Sequence, residues 1–342
     1  MDKHRRKVYY CCCSIAVLTL LITALIVIKI PLMKFTHLMV YADEVDASSD
    51  EKIVEGESES ESETKAIQPF ILYLSGVDTR DAELVNSNGD VNILMAVNPQ
   101  TRNVLLLNTP RDYYLQNPAG GSAMDKLTHC AAYGVENSAK ALEQLYDCKV
   151  DYYLQINFTG FEKLIDVMGG ITVYSDEEFD EYVEDGSIFH VVEGENYMNG
   201  MQALAFARDR YHVAYGDNGR GRDQMRVIKA LIDMITGNPL NTLKLLPTLL
   251  REMNGTFKTD MSVSAMSLLL MTELSGGESD WNVQHYAVTG HNGVDKTYSM
   301  AEPTNVMYQD EKLVKHAADL LDLTMDGAEL TDEIVGETVQ EW

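Results

Sequence analysis

Basic residues are scarce in this chain of 342 residues: 27 Lys and Arg stand against 53 Asp and Glu, a formal charge of -26. A surface for phosphate backbones needs broad basic stripes, so this balance excludes nucleic acid as a partner. Cysteine is also sparse, five in all, and none has Cys-x-x-Cys or Cys/His spacing, which excludes an ordinary zinc site. Cys11, Cys12 and Cys13 share one apolar run, while Cys130 and Cys148 stand apart, and whether they pair is open. There is no P-loop and no Gly-x-Ser-x-Gly, so nucleotide triphosphate chemistry and serine-triad hydrolysis have no motif to rest on. His129, His190 and His212 have no partner at ligand or triad spacing, and no internal repeat is found. What is present is a folded composition, 45% hydrophobic with 8% aromatic, long enough for one large domain or two modest ones.

Charge is missing altogether from Val8 to Ile28, just after Lys3, Arg5, Arg6 and Lys7. About 20 apolar residues span a bilayer as a helix, and a basic cluster ahead of them favours a cytoplasmic N-terminus. We expect residues 1–7 as a cytoplasmic tail and 8–31 as a retained transmembrane anchor. A cleaved signal ending near Val40-Tyr41-Ala42 is the rival, but the apolar run is long for one and that site is distant. Residues 42–66, acidic and serine-rich through Asp43–Thr64, read as a self-repelling spacer.

From residue 68 the pattern changes. Phe70–Leu74, Val91–Val97 and Val104–Leu107 are short apolar runs bounded by Gly, Pro and Asn, the signature of buried strands, and Asp151–Asn157 and Ile171–Tyr174 add two more. Asp125–Leu145 is largely helical in pattern. Phe158–Met168 reads as an amphipathic helix stopped by Gly169-Gly170, and Asn199–Ala207 and Arg222–Ile235 follow with helical spacing. The acidic segment Asp176–Asp185 reads as a surface excursion. Beyond the break at Gly237-Asn238-Pro239, Leu240–Met253 and Val263–Leu274 read as helices. We therefore expect residues 68–238 as the chemical domain, with 239–342 as its C-terminal helical extension and acidic tail.

Polar residues gather at the strand ends: Asp78 and Arg80, then Asp90, then Arg111 and Asp112. Ligands in α/β folds bind at such ends. Asp78 and Asp90 close one strand and open the next, which makes them neighbours in an antiparallel pair. Two carboxylates with phosphate oxygens form an ordinary magnesium site; turn capping is the plain alternative. The densest feature is Ala205–Gln224, with Arg208, Arg210, Arg220 and Arg222 close together. Two like charges ~6 Å apart repel by ~3 kcal/mol at an effective dielectric near 20, so such arginines need anions. The local acids Asp209, Asp217 and Asp223 on a solvated helix face would supply some; a guanidinium fork on a phosphate or pyrophosphate is the sharper reading.

The stretches GVDTR, NGDVNILMAVN, LLLNTPRD, KLTHCAAYG, VDYYLQINFTGFEKLIDVMGGITV and ALAFARDR followed by GDNGRGRDQMRVIKAL, in this order and spacing, resemble the LytR-CpsA-Psr family of bacterial envelope proteins. The resemblance implies an α/β fold with a central mixed β-sheet flanked by helices (α-β-α). It implies a membrane-anchored phosphotransferase, outside the cytoplasmic membrane, that moves a glycopolymer such as teichoic acid or capsule from a polyprenyl-pyrophosphate carrier to peptidoglycan. Pyrophosphate binding would fall on Arg80, Arg111, Lys126 at the rim, Arg208, Arg210, Asp217 as an orienter, Arg220 and Gln224. Magnesium (Mg) would fall on Asp78 and Asp90, and catalysis on Asp90 and Arg111. Asn88 and Asp223 occupy positions where many members carry Arg, which leaves less positive charge and leaves open whether Arg222 substitutes. A polyprenyl-pyrophosphate hydrolase and a non-catalytic lipid- or glycan-binding envelope protein are the alternative functions.

Overall fold

The computed structural model describes residues 67–81, 83–209, 217–275 and 281–336. The expected tail, anchor and linker (1–7, 8–31 and 42–66) lie outside the described residues, as do Arg210 and His212. Among the described residues no helix is long and apolar enough to cross a membrane.

In chain order the strands are β1 (Phe70–Val77), β2 (Gly89–Asn98), β3 (Asn103–Asn108), β4 (Tyr114–Gln116), β5 (Met124–Lys126), β6 (Tyr152–Asn157) and β7 (Ile171–Ser175). They continue with β8 (Phe179–Tyr182), β9 (Ile188–Val191), β10 (Gly194–Met198), β11 (Phe257–Thr259), β12 (Asn282–Ala287), β13 (Gly290–Asp295) and β14 (Thr304–Gln309). The helices are α1 (Leu127–Cys130), α2 (Val135–Tyr146), α3 (Phe158–Met168), α4 (Gly200–Arg208), α5 (Asp217–Gly237), α6 (Pro239–Glu252), α7 (Val263–Ser275), α8 (Glu311–Met325) and α9 (Asp332–Val335).

The central sheet is mixed, in the order β11-β6-β1-β2-β3-β12. β2 runs antiparallel to β1 and β3, while β6 lies parallel to β1 and β12 parallel to β3. Its middle strands read as unbroken apolar runs because both faces are covered. Ile71, Tyr73, Leu94, Leu105 and Leu107 enter one core with α2 and α8. Phe70, Leu72, Ile93, Val104 and Leu106, offset by one residue, enter another with Met225 and Ile228 of α5 and Leu269 of α7. The expected α/β architecture with helices on both faces is therefore present.

A third core joins Ile165 of α3, Ile171 and Val173 of β7, Ala203 and Phe206 of α4 and Val227 of α5. Asn157 caps α3 by accepting from the Gly160 amide at 2.9 Å, and Asn199 with Gln202 forms a capping box on α4. The two helices touch at Gly200. A Cβ placed there would lie 2.3 Å from the Glu162 carbonyl oxygen, so only glycine lets their backbones approach this closely.

Two expectations are corrected. The expected helix over Asp125–Leu145 is broken: α1 gives way to a 3-10 turn at Ala131–Tyr133, and Gly134, at φ 111, lies outside helical space before α2 starts. The acidic segment Asp176–Asp185 does lie at the surface as expected, and there holds β8, which pairs with β9. The region after residue 239 is not simply helical, because β11 and β12 form the two edges of the central sheet and β13 and β14 form a hairpin. Asn282–Ala287 (NVQHYA) lacks an apolar run because an edge strand covers only single residues, Val283 in part on one face and Tyr286 fully on the other. Cys130 and Cys148 are both free thiols.

Candidate active site

One end of the sheet collects the polar residues. Val77 at the end of β1 faces Gly89 at the start of β2 and Asn157 at the end of β6, and Asn108 at the end of β3 faces Ala287 of β12. Asp78, Arg80, Asp90, Arg111 and Phe158 therefore leave the sheet side by side, although they lie far apart in sequence. The loop after β1 is fastened to α3: the Phe158 amide donates to the Thr79 carbonyl at 3.2 Å and the Asn157 side chain to the Asp81 carbonyl at 2.9 Å.

Asp78, Arg80, Asp90, Arg208 and Gln224 line one cleft of about 600 Å³, together with Phe158, Glu162, Glu184, Leu204 and Asp209. The Arg80 and Arg208 guanidinium carbons lie 5.7 Å and 4.3 Å from the centre of the Phe158 ring. Its electron-rich face eases the approach of two like charges. Arg80 also pairs with Glu162 at 3.2 Å and with Glu184, and Arg208 lies 3.9 Å from Asp78. These pairs are half-exposed, so each contributes on the order of 0–1 kcal/mol to folding and yields readily to a stronger anion. Gln224 donates to the Ala207 carbonyl at 3.4 Å.

Arg111 sits beside this cleft and donates to Asp90 at 2.8 Å. Its Nε is 3.8 Å from Asp112, which in turn accepts from Lys126 at 2.7 Å. Lys126 thus ends a row of alternating charges that runs through Asp112 and Arg111 to Asp90 of the cleft. Asp217 and Arg220 belong to the first turn of α5, with side chains outside the described residues, as is Arg210 altogether. Sequence reasoning offered the helix Phe158–Met168 only as a candidate wall of a lipid slot and gave Phe158, Glu162 and Glu184 no part in the charged site. The i, i+4 spacing of Phe158 and Glu162 on the first turn of an amphipathic helix was the available signal.

The described lining holds more carboxylates than guanidinium groups, with Glu162 and Glu184 paired to Arg80. Among the described residues no three His, Cys, Asp or Glu side chains converge as a metal cluster. A small hard ion that keeps its waters needs only one or two protein carboxylates, so Asp78 and Asp90 as cleft neighbours fit magnesium.

Asp223 is only 2% exposed, and its Oδ1 accepts from Arg226 at 2.9 Å. Burial pushes its carboxyl up to about 6, with the neighbouring Asp209 carboxylate adding to the rise while Arg226 and Arg222 oppose it. Arg222, beside it in sequence, lines a separate hollow of about 190 Å³ with Arg226 and His285. A carboxyl whose folded value is raised penalises the native state where it must ionise. That penalty is complete above pH 6 and disappears as pH falls to about 4, where both states hold the proton. The gap corresponds to roughly 3 kcal/mol at ~1.36 kcal/mol per decade. Asp223→Asn should therefore gain about that much stability relative to the parent between pH 4 and pH 8. Urea unfolding at the two pH values measures it; a parent–variant difference that stays constant with pH would count against a buried ionised Asp223.

Residues 36–314 match the model of the LytR_cpsA_psr family. The relative named polyisoprenyl-teichoic acid–peptidoglycan teichoic acid transferase TagU from Bacillus subtilis (strain 168) is 30% identical over 254 residues, covering 72% of this chain and 80% of the relative. The protein of the same name from Bacillus licheniformis is 33% identical over 199 residues, covering 58% of this chain, which spans 62% of that relative's length. Among solved structures, B. subtilis TagV aligns with TM-score 0.63 at 22% identity, over 76% of this chain and 98% of its own, a likeness of fold. A structure described as TagT bound to LI-WTA aligns with TM-score 0.59 at 25% identity, over 78% of this chain and 94% of its own.

Proposed function

The chain belongs to the LytR-CpsA-Psr family, and from that premise we propose that it is a membrane-anchored phosphotransferase that moves a teichoic-acid-type glycopolymer from a polyprenyl-pyrophosphate carrier to peptidoglycan. The observation that carries the reading is the convergence of Asp78, Arg80, Asp90 and Arg208 on one cleft at the sheet end, with Arg111 bonded to Asp90. The names of the two TagU relatives support the substrate class.

Phosphoryl transfer asks the protein chiefly for positioning and for charge neutralisation on phosphate oxygens. Arg80 and Arg208 would release Glu162, Glu184 and Asp78 to grip the diphosphate, with Arg111, Arg210 and Arg220 completing the set and Gln224 donating a neutral bond. Charge-assisted hydrogen bonds contribute ~1.5–3 kcal/mol each, enough in sum to hold a diphosphate on an acidic protein. A sugar hydroxyl of the acceptor attacks the phosphorus nearer the glycan. A new P–O bond forms to the acceptor, the bond to the bridging oxygen breaks, carrier phosphate leaves, and Asp90 accepts the hydroxyl proton. Asp78 and Asp90 would hold magnesium, which when bound neutralises phosphate oxygens. Residues 8–31 would anchor the domain outside the cytoplasmic membrane and raise its effective concentration toward a lipid substrate in the same bilayer.

Arg208 and Asp78 are 49% and 52% exposed at their side chains, so water has access and carrier hydrolysis is the competing outcome. Product analysis with a polyprenyl-pyrophosphate glycan, with and without an acceptor glycan, decides between them. Transfer predicts a phosphodiester-linked product that requires acceptor; release of glycan phosphate at the same rate in both cases would make the protein a hydrolase.

A further inference from the structure

Phosphoryl transfer needs a place for the acceptor as well as for the carrier, and the cleft accounts for the carrier alone. Its helical walls come from α3, α4 and α5. On the other flank of the Asp90–Arg111 pair lies the segment 127–133. Its Thr128 amide donates to the Arg111 carbonyl at 2.8 Å, and a methyl placed on Gly89, next to Asp90, would come within 3.1 Å of the Ala131 Cβ. Leu127 and Cys130 bury in the core of α2 and α8, so this segment belongs to the opposite layer of the sheet from α5.

The segment ends on Tyr133, 45% exposed, whose ring centre is 5.8 Å from that of Tyr298, 48% exposed, with the planes 40° apart. Both rings are anchored. The Tyr133 and Ser299 hydroxyls are 3.3 Å apart, and Ser299 donates to the fully buried Asp125. Asp125 also accepts from Asn117 at 3.1 Å and from the Lys126 amide at 2.8 Å, and bonds His129 at 2.7 Å. The Tyr298 amide donates to the Met124 carbonyl at 2.9 Å, and its ring lies where a Cβ on Gly120 would meet it at 3.0 Å.

Two exposed aromatic faces, fixed at an angle with hydroxyls at their edges, suit a pyranose ring. The apolar C–H face of a sugar lies on the rings while its hydroxyls reach polar edges. In-line displacement places the incoming oxygen opposite the leaving one, so the acceptor enters from the flank away from the carrier. We propose that Tyr133 and Tyr298 form a stacking platform for the acceptor glycan strand, across the Asp90–Arg111 pair from the carrier cleft. The inference rests on the transferase reading of that cleft.

The test uses the full chain in detergent and chitotetraose, a β-1,4-linked N-acetylglucosamine tetramer, as the probe. Saturation-transfer NMR and calorimetry should show binding that weakens at least 5-fold in Tyr133→Ala and in Tyr298→Ala and is kept in Tyr298→Trp, with unchanged circular-dichroism melting. In transfer assays the acceptor KM should rise by a similar factor while the carrier KM moves less than twofold. Equal chitotetraose binding by the double alanine variant, no binding by the parent, or a rise in carrier KM in place of acceptor KM would each overturn the platform. Should the parent transfer nothing yet lose chitotetraose binding in these variants, the transferase reading falls and the glycan platform stands.

Discussion

Arg111→Ala should lower glycopolymer transfer by about 10²–10³-fold while leaving the fold in place. Removing one preorganised donor aimed at developing charge on an oxyanion costs about that much in rate, ~2.7–4 kcal/mol. Arg111 is the guanidinium tied to Asp90, at 2.8 Å, and its backbone carbonyl holds the Thr128 amide independently of the side chain. Truncation therefore removes the charge without releasing the chain. The Arg111 and Asp90 side chains are 30% and 21% exposed, so losing this pair should cost roughly 1 kcal/mol or less of stability. Arg111→Lys should recover part of the rate, because Lys restores the charge but not the planar fork. Transfer assayed with purified carrier substrate, beside thermal melts of the same preparations, separates the two effects. An alanine variant that keeps more than about a tenth of the parental rate would remove Arg111 from the site.

Phe206→Ala should destabilise the domain by about 3–5 kcal/mol, the usual loss for a large aromatic emptied from a core. Phe206 is 0% exposed and stacks on Phe179 of β8, with ring centres 6.2 Å apart. It stands two residues before Arg208, inside the core that joins α3, α4 and α5. The cavity would loosen the walls of the cleft together, so activity should fall along with stability, unlike in Arg111→Ala. Phe206→Leu, which refills part of the volume, should recover most of the loss. Calorimetry gives the answer: at about 2–4 °C per kcal/mol for a domain of this size, a melting point within a degree or two of the parent would mean that this core does not hold the cleft together.

The strands of the sheet centre were legible as sequence because burial on both faces forces continuous apolar runs, and FILYL and VLLL carry them without interruption. The adjacency of Asp78 and Asp90 was legible too, since the chain closes one strand at Val77 and opens its antiparallel neighbour opposite it at Gly89. Helix α3 showed both its apolar face and its Gly169-Gly170 stop, with Gly169 at φ 92. Edge strand β12 was hidden because a half-covered strand buries few side chains and leaves no run to read. The break in Asp125–Leu145 was hidden because Gly134 acts through a backbone angle rather than through hydrophobicity.

The residues of the cleft divide along the same line. Residue types and their order along the chain carried the family and the charged members of the site, because guanidinium and carboxylate chemistry is written in the side chains themselves. The Phe158 ring shared by Arg80 and Arg208, the partnership of Arg80 with Glu162 and Glu184, the place of Arg222 in a separate hollow and the meeting of Tyr133 with Tyr298 came only from folding. Each joins elements separated by a strand, a helix or most of the chain. Such contacts are set by how layers pack against a common sheet, and no local periodicity encodes them.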